Sequence, residues 1–205
     1  FFENYYNDNP FKLDMSFDFE TKIHAKLINE KTVVLDPKMQ KILTERGFGE
    51  PENDVLILDS FETLYLLYNN KLELKKINKN IIFDELIQKY IQKNDDTLIR
   101  FLLYRDLRTK GYAVKDGFGF GSDFRVYERG TYGLKDAKFV VFPFNEGTQQ
   151  KIGKLYKNIV EITKMGKEPL VAVVERRGEI IYYKINKMNF SENKPDLQMK
   201  DFEFN

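Results

Sequence analysis

The sequence predicts an α+β protein: a small N-terminal α/β module followed by a mixed-sheet domain. Three observations carry that expectation. Short runs rich in Val, Ile, Tyr and Phe, the composition of strands, recur along the chain. Between them lie stretches whose apolar residues return with helical period, opened by Asp or Asn and closed by Gly. Two such stretches, Ile82–Lys93 and Thr97–Lys110, stand back to back and separate an earlier strand-bearing group from a later one. The 205 residues suffice to bury a core as one large domain or as two small ones.

Residues 1–22 are rich in Asn, Asp, Phe and Tyr with little periodicity, and are read as an N-terminal arm. The module is expected over 23–80. Ala25–Ile28 and Thr32–Leu35 flank the polar Asn29-Glu30-Lys31 and predict a hairpin. Asp36-Pro37 then opens a helix, because Asp caps the first amides and Pro suits the first turn; it ends near Arg46-Gly47. Val55–Leu58 is a short apolar strand, and Asp59 and Ser60 cap a helix over Phe61–Tyr68. Lys71–Lys75 alternates polar and apolar residues and is read as an edge strand.

The second domain is expected over 81–190. Its helix pair is joined by the capping residues Asn94-Asp95-Asp96, and Gly111 stops the second helix. Tyr112–Lys115, Asp123–Tyr127 and Ala137–Phe142 follow as strands, then a helix from about Gln149 to Lys164. Leu170–Val174 and Glu179–Ile185 close the domain as a strand pair around Glu175-Arg176-Arg177-Gly178. Residues 191–205 are read as an extended polar tail.

Composition narrows the chemistry. Lys and Arg total 33 against 32 for Asp and Glu, so any nucleic-acid surface must be local rather than global. The absence of cysteine excludes disulfides and thiolate metal sites, and the single His24 excludes a multi-histidine centre within one chain. No metal or cofactor is therefore expected. No apolar run reaches the roughly 20 residues that span a bilayer, and Phe1–Tyr6 lacks a basic, apolar leader pattern. A cytoplasmic setting without membrane partners is expected. The missing initiator Met suggests a longer parent polypeptide.

Taken singly, the candidate site residues have plain readings. A strand tyrosine is usually a packing residue, a lone lysine a solvated charge, and an Asp after Gly-Leu-Lys a turn residue. Their surroundings change that. Tyr104-Arg-Asp-Leu-Arg-Thr-Lys-Gly-Tyr112, Gly121-Ser-Asp-Phe-Arg-Val-Tyr-Glu-Arg-Gly130, the Lys135–Pro143 strand, Pro169–Val174 and Gly178–Tyr183 follow one another in a characteristic order. In order and spacing these segments resemble the archaeal tRNA-intron splicing endonucleases. The resemblance spans about residues 97–186, and residues 24–77 look like that family's N-terminal domain.

The resemblance implies cleavage of precursor tRNA at bulge-helix-bulge junctions without a metal, leaving a 2′,3′-cyclic phosphate and a 5′-hydroxyl. It implies a Tyr that takes the 2′-hydroxyl proton, a His that protonates the leaving 5′-oxygen and a Lys that steadies phosphate charge. Tyr127 matches the tyrosine; Lys167 matches the lysine, with Lys164 the alternative. A phenol with a reference pKa of about 10 needs a nearby cation to act as base near neutrality.

Asp136 occupies the histidine's place. An exposed Asp is ionised near neutrality, has no proton to give and sets negative charge beside a phosphate; Lys135 and Lys138 favour that form. His24, in the N-terminal module, is read as a packing or surface residue. The family's base-gripping arginine is also missing, since Glu161 lies near its place and a carboxylate cannot make a cation–π contact.

Arg105, Arg108, Arg125 and Arg129 are candidates for a phosphate-binding surface, and Arg125 should share a strand face with Tyr127. The family assembles four units, or two double-length ones, by inserting an acidic loop of one into a basic cleft of another. Glu175 and Glu179 are the matching candidates, and Ile180–Ile185 is apolar enough to pair with another unit. The expected function is a subunit of a tRNA-splicing endonuclease acting on precursor tRNA within a homo- or hetero-oligomer. A non-catalytic structural subunit is the alternative that Asp136 raises, and a plain RNA-binding module is a third reading. Activity is expected of the assembly; whether this chain cuts alone turns on Asp136.

Overall fold

The computed structural model describes residues 22–119, 123–147 and 152–185. The arm and the tail fall outside the described residues, apart from Lys22. β1 (Ile23–Ile28) turns into β2 (Lys31–Val34) through Asn29 and Glu30, both with positive φ. Two such residues in a two-residue loop give the turn whose twist suits an antiparallel pair. Asp36 Oδ1 accepts from Lys38 N at 2.9 Å and Pro37 occupies the first turn of α1 (Pro37–Glu45), as the cap signal predicts. β3 (Glu50–Glu52) and β4 (Val55–Leu58) form a second hairpin. Then come α2 (Ser60–Tyr68), β5 (Leu72–Lys76) and β6 (Lys79–Ile81).

These strands form one sheet in the order β3-β4-β2-β1-β5-β6. The alternating segment read as an edge strand is therefore interior: β5 lies between β1, to which it is parallel, and β6. Its alternation records one sheet face turned to solvent, with Leu72 and Leu74 buried and Lys75 exposed. The edges are β3 and β6, both three residues long.

The later half contains α3 (Phe83–Ile91), α4 (Thr97–Thr109), β7 (Ala113–Asp116), β8 (Phe124–Tyr127), β9 (Phe139–Asn145), α5 (Ile152–Lys164), β10 (Glu168–Val174) and β11 (Ile180–Lys184). Its sheet runs β11-β10-β9-β8-β7. Only β9 and β10 pair in parallel, and α5 is the crossover that such a pair requires. The architecture is thus α+β with mixed sheets.

The two sheets share a core. Phe61 and Tyr65 of α2 meet Tyr104 of α4 at ring-centroid distances of 4.9 and 5.6 Å, and Phe61 meets Phe124 of β8 edge-on at 5.0 Å. Phe124 and Val126 are fully or almost fully buried. A large apolar side chain contributes about 1.5–3 kcal/mol on burial, so a one-residue slip of β8 would forfeit both. That fixes the opposite face for Arg125 and Tyr127. On the Arg125 side, its register partner Val140 is buried with Phe142, Ile162 and Val171 in a smaller cluster against α5.

Candidate active site

Arg125 and Tyr127 open into a pocket of about 360 Å³. Asp136 and Ala137 from the segment before β9, and Met165 and Lys167 from the end of α5 and the turn after it, line the pocket with them. Phe118, from the turn after β7, completes it. The parallel pairing explains the convergence. Glu168 stands opposite Phe139 in the β9–β10 register, so the residues just before the two strands lie side by side. Lys167 Nζ donates to the carbonyl of Ala137 at 2.9 Å, next to Asp136. Lys164, the alternative, is exposed and is not a pocket residue.

Asp136 is exposed, whereas Ala137 is buried. The neighbouring Lys138 is engaged by Glu128, whose carboxyl is held below its ordinary range mainly by that hydrogen bond. Tyr127 packs edge-on against Tyr132, with centroids 4.9 Å apart and planes at 79°. Burial raises the Tyr132 phenol above its ordinary value, against the pull of Lys115.

Phe118 was not foreseen, although the Gly-Phe-Gly run before the motif was its available signal. Its position is built from below. Asp123, fully buried, accepts from Phe118 N at 2.9 Å through Oδ2. A Cβ on Gly117 would sit 1.9 Å from that same oxygen, so glycine is required for lack of space. Gly117→Ala should cost about 1–3 kcal/mol, as overpacking does, and lower the thermal midpoint; an unchanged midpoint in a calorimetric scan would refute this close approach.

The other arginines do not gather at the pocket. Arg108 is 5% exposed, its guanidinium lies 3.8 Å from the Phe48 ring centroid, and NH1 and NH2 each donate to Arg46 O at 3.1 Å. It cannot serve as surface for RNA: the segment after α1 covers that face of α4. Arg105, half-buried, lies over Tyr68 and Phe101 at 5.4 and 5.8 Å. Arg129 is exposed and lies over Tyr112 at 5.2 Å. His24 is on β1, 3.3 Å from Glu73, away from the pocket residues. Glu161 is exposed on α5, one turn before Met165. Glu175 and Glu179 close the β10–β11 hairpin, Glu175 N donating to Glu179 O at 2.9 Å.

Chemically, the pocket offers a phenol, two cations and a carboxylate. Among the described residues no group of three or more His, Asp or Glu is placed to hold a metal ion, and no helix is long and apolar enough to cross a membrane.

Comparison with known proteins agrees with this construction. Residues 97–182 match the family model of the tRNA intron endonuclease catalytic C-terminal domain, and residues 23–87 that of the tRNA intron endonuclease N-terminal domain. A tRNA-splicing endonuclease of Methanococcus maripaludis is 33% identical over 162 residues, covering 78% of this chain and 92% of the relative. That of Methanococcus vannielii has the same identity and coverage. That of Thermococcus onnurineus is 30% identical over 152 residues, covering 74% of this chain and 88% of the relative.

Proposed function

Because the chain belongs to the tRNA intron endonuclease family, we propose that it is one unit of an oligomeric endonuclease that removes introns from precursor tRNA at bulge-helix-bulge junctions. Within it the chain supplies fold, assembly contacts and RNA-facing charge but lacks a proton donor of its own. The observation that carries this reading is Asp136, exposed on the wall of the pocket shared by Tyr127 and Lys167.

In the reaction the 2′-oxygen forms a bond to phosphorus while the bond from phosphorus to the 5′-oxygen breaks. Tyr127 is placed to take the 2′-hydroxyl proton, and the Lys167 ammonium to stabilise charge that grows on the phosphate. The leaving 5′-oxygen needs a proton in return, and the pocket has the Asp136 carboxyl where the family's histidine would give it. Cutting is then the work of another unit of the same assembly, one with histidine at that place. The hairpin tip at Glu175 and Glu179, where Arg176 and Arg177 balance the two carboxylates, and the exposed Ile181 and Tyr183 of edge strand β11 are the surfaces offered for assembly. A precursor-tRNA substrate suits a cytoplasmic setting.

The test is incubation of the pure chain with a bulge-helix-bulge RNA, with binding and cleavage read separately. Binding with weak or absent cutting is the expected result. The second reading, a unit that cuts alone, is favoured by the joint survival of Tyr127 and Lys167 in one pocket; efficient cutting by the unmodified chain would establish it and remove the first.

A further inference from the structure

We propose that Phe118 is a positioning residue that gathers Arg125 and Lys167 into a two-cation receptor for a phosphate group of the RNA. The proposal deepens the reading above and rests on it for the identity of the ligand. Its ground is a convergence on one ring. The Arg125 guanidinium lies 5.3 Å, and the Lys167 ammonium 5.6 Å, from the Phe118 centroid. Both are inside the roughly 6 Å over which a ring's negative face attracts a cation.

Two like charges in one pocket repel, and the carboxylate that shares it, Asp136, is ion-paired with neither. Among the described residues neither cation forms an ion pair. Each is tethered to a backbone carbonyl instead: Arg125 Nε to Asp116 O at 2.6 Å, and Lys167 Nζ to Ala137 O at 2.9 Å. Those bonds orient the side chains but add no full negative charge to either cation. The ring adds attraction toward a common point without adding a negative charge that would compete with phosphate.

The ring itself is held. Its backbone amide is bound by the buried Asp123 carboxylate, burial raising that carboxyl above its ordinary range, and Gly117 leaves the room this contact needs. Yet the residue remains 37% exposed, on the pocket wall rather than in the core. An apolar ring fixed this firmly at a polar site is explained by what it holds.

The experiment compares the unmodified chain with Phe118→Leu, Phe118→Met and Phe118→Tyr. Inorganic pyrophosphate is titrated while the side-chain resonances of Arg125 and Lys167 are followed by NMR. Binding of a bulge-helix-bulge RNA is measured in parallel across salt concentrations. Each cation–π contact removed should weaken anion binding about threefold, so Leu and Met should lose about tenfold in pyrophosphate affinity. They should also lower the salt slope of RNA binding by about one contact or more. Tyr, which keeps the ring, should retain both, and all four chains should melt alike.

Pyrophosphate binding that is absent in the unmodified chain, or equal in Leu, Met and parent, overturns the proposal. So does a Tyr variant as weak as Leu. RNA binding that weakens with an unchanged salt slope would make the ring a base-stacking platform and likewise overturn it. Failure of the parent to bind RNA at all would sink the endonuclease-unit reading alone, because the pyrophosphate titration still decides the role of Phe118.

Discussion

Asp136→His should convert a weak or inactive chain into one that cuts bulge-helix-bulge RNA, with a rate increase of about 10²–10⁴, the usual contribution of a positioned general acid. The products should carry 2′,3′-cyclic phosphate and 5′-hydroxyl ends. The expectation follows from what the pocket already contains: Tyr127, Lys167 and Arg125 converge there, and the position before Ala137 faces the same space. An imidazole with a reference pKa of about 6.5 can supply a proton near neutrality. Because the protonated form is required, the gain should fade as pH climbs above that value. Asp136→Asn separates two effects. It removes negative charge beside the phosphate and should strengthen RNA binding several-fold, but it adds no acid and should leave cutting low. Were Asn to restore cutting as well as His, repulsion rather than the missing proton would be the defect.

How far the sequence discloses this site depends on which forces place each residue. The alternation Asp-Phe-Arg-Val-Tyr discloses β8, because Phe124 and Val126 must be buried together and Arg125 and Tyr127 must then face away. Lys167 is distant in sequence, and only the parallel β9–β10 pair brings it beside Ala137. Resemblance to the endonucleases named it in advance, and topology supplies the physical reason. Arg108 differs from its expected surface role because a helix face is buried by whatever lies across it. Here that is Phe48 and the Arg46 carbonyl, 60 and more residues away along the chain. The interior place of β5 was hidden for a related reason: solvent on one sheet face and solvent on one strand edge leave the same alternating pattern. Phe118 does not stand out in the sequence, because only the fold brings Arg125 and Lys167 to its ring.

Lys115→Met should destabilise the protein by about 3–5 kcal/mol, the cost of leaving one member of a buried ion pair without the other. Neither partner shows itself in the sequence, for Lys115 sits in a short strand and Glu62 in a helix opening where both read as surface charges. In the fold Glu62 is fully buried and the Lys115 side chain is 3% exposed. Lys115 Nζ donates to Gly49 O at 2.7 Å, lies 2.9 Å from Glu50 Oε1, and reaches Glu62 Oε1 at 3.4 Å. Glu62 Oε2 accepts from Gly49 N and Asp59 N at 3.0 and 2.9 Å. The cluster ties α2 and the β3 segment to β7, whose Lys115 is the register partner of Arg125 on β8. Burial works to lower the lysine, but the charge of Glu62 and the hydrogen bond that Lys115 donates to Glu50 outweigh it and raise it instead. Burial likewise pushes the Glu62 carboxyl from 4.5 to about 7, against the pull of Lys115. The folded state thus holds this proton more tightly than the unfolded chain does. The stabilisation that comes from that proton is complete below pH 4.5 and is lost as pH rises toward 7. Removing the ammonium removes a pull on the carboxylate, so the window should extend upward in Lys115→Met. The variant's deficit should then be smaller at pH 5.5, where Glu62 keeps its proton, than at pH 8, where a buried carboxylate is left without its cation. Denaturant unfolding of both chains at the two pH values checks this. An equal deficit at both would mean that Lys115 contributes through packing and its bond to Gly49 rather than through its charge.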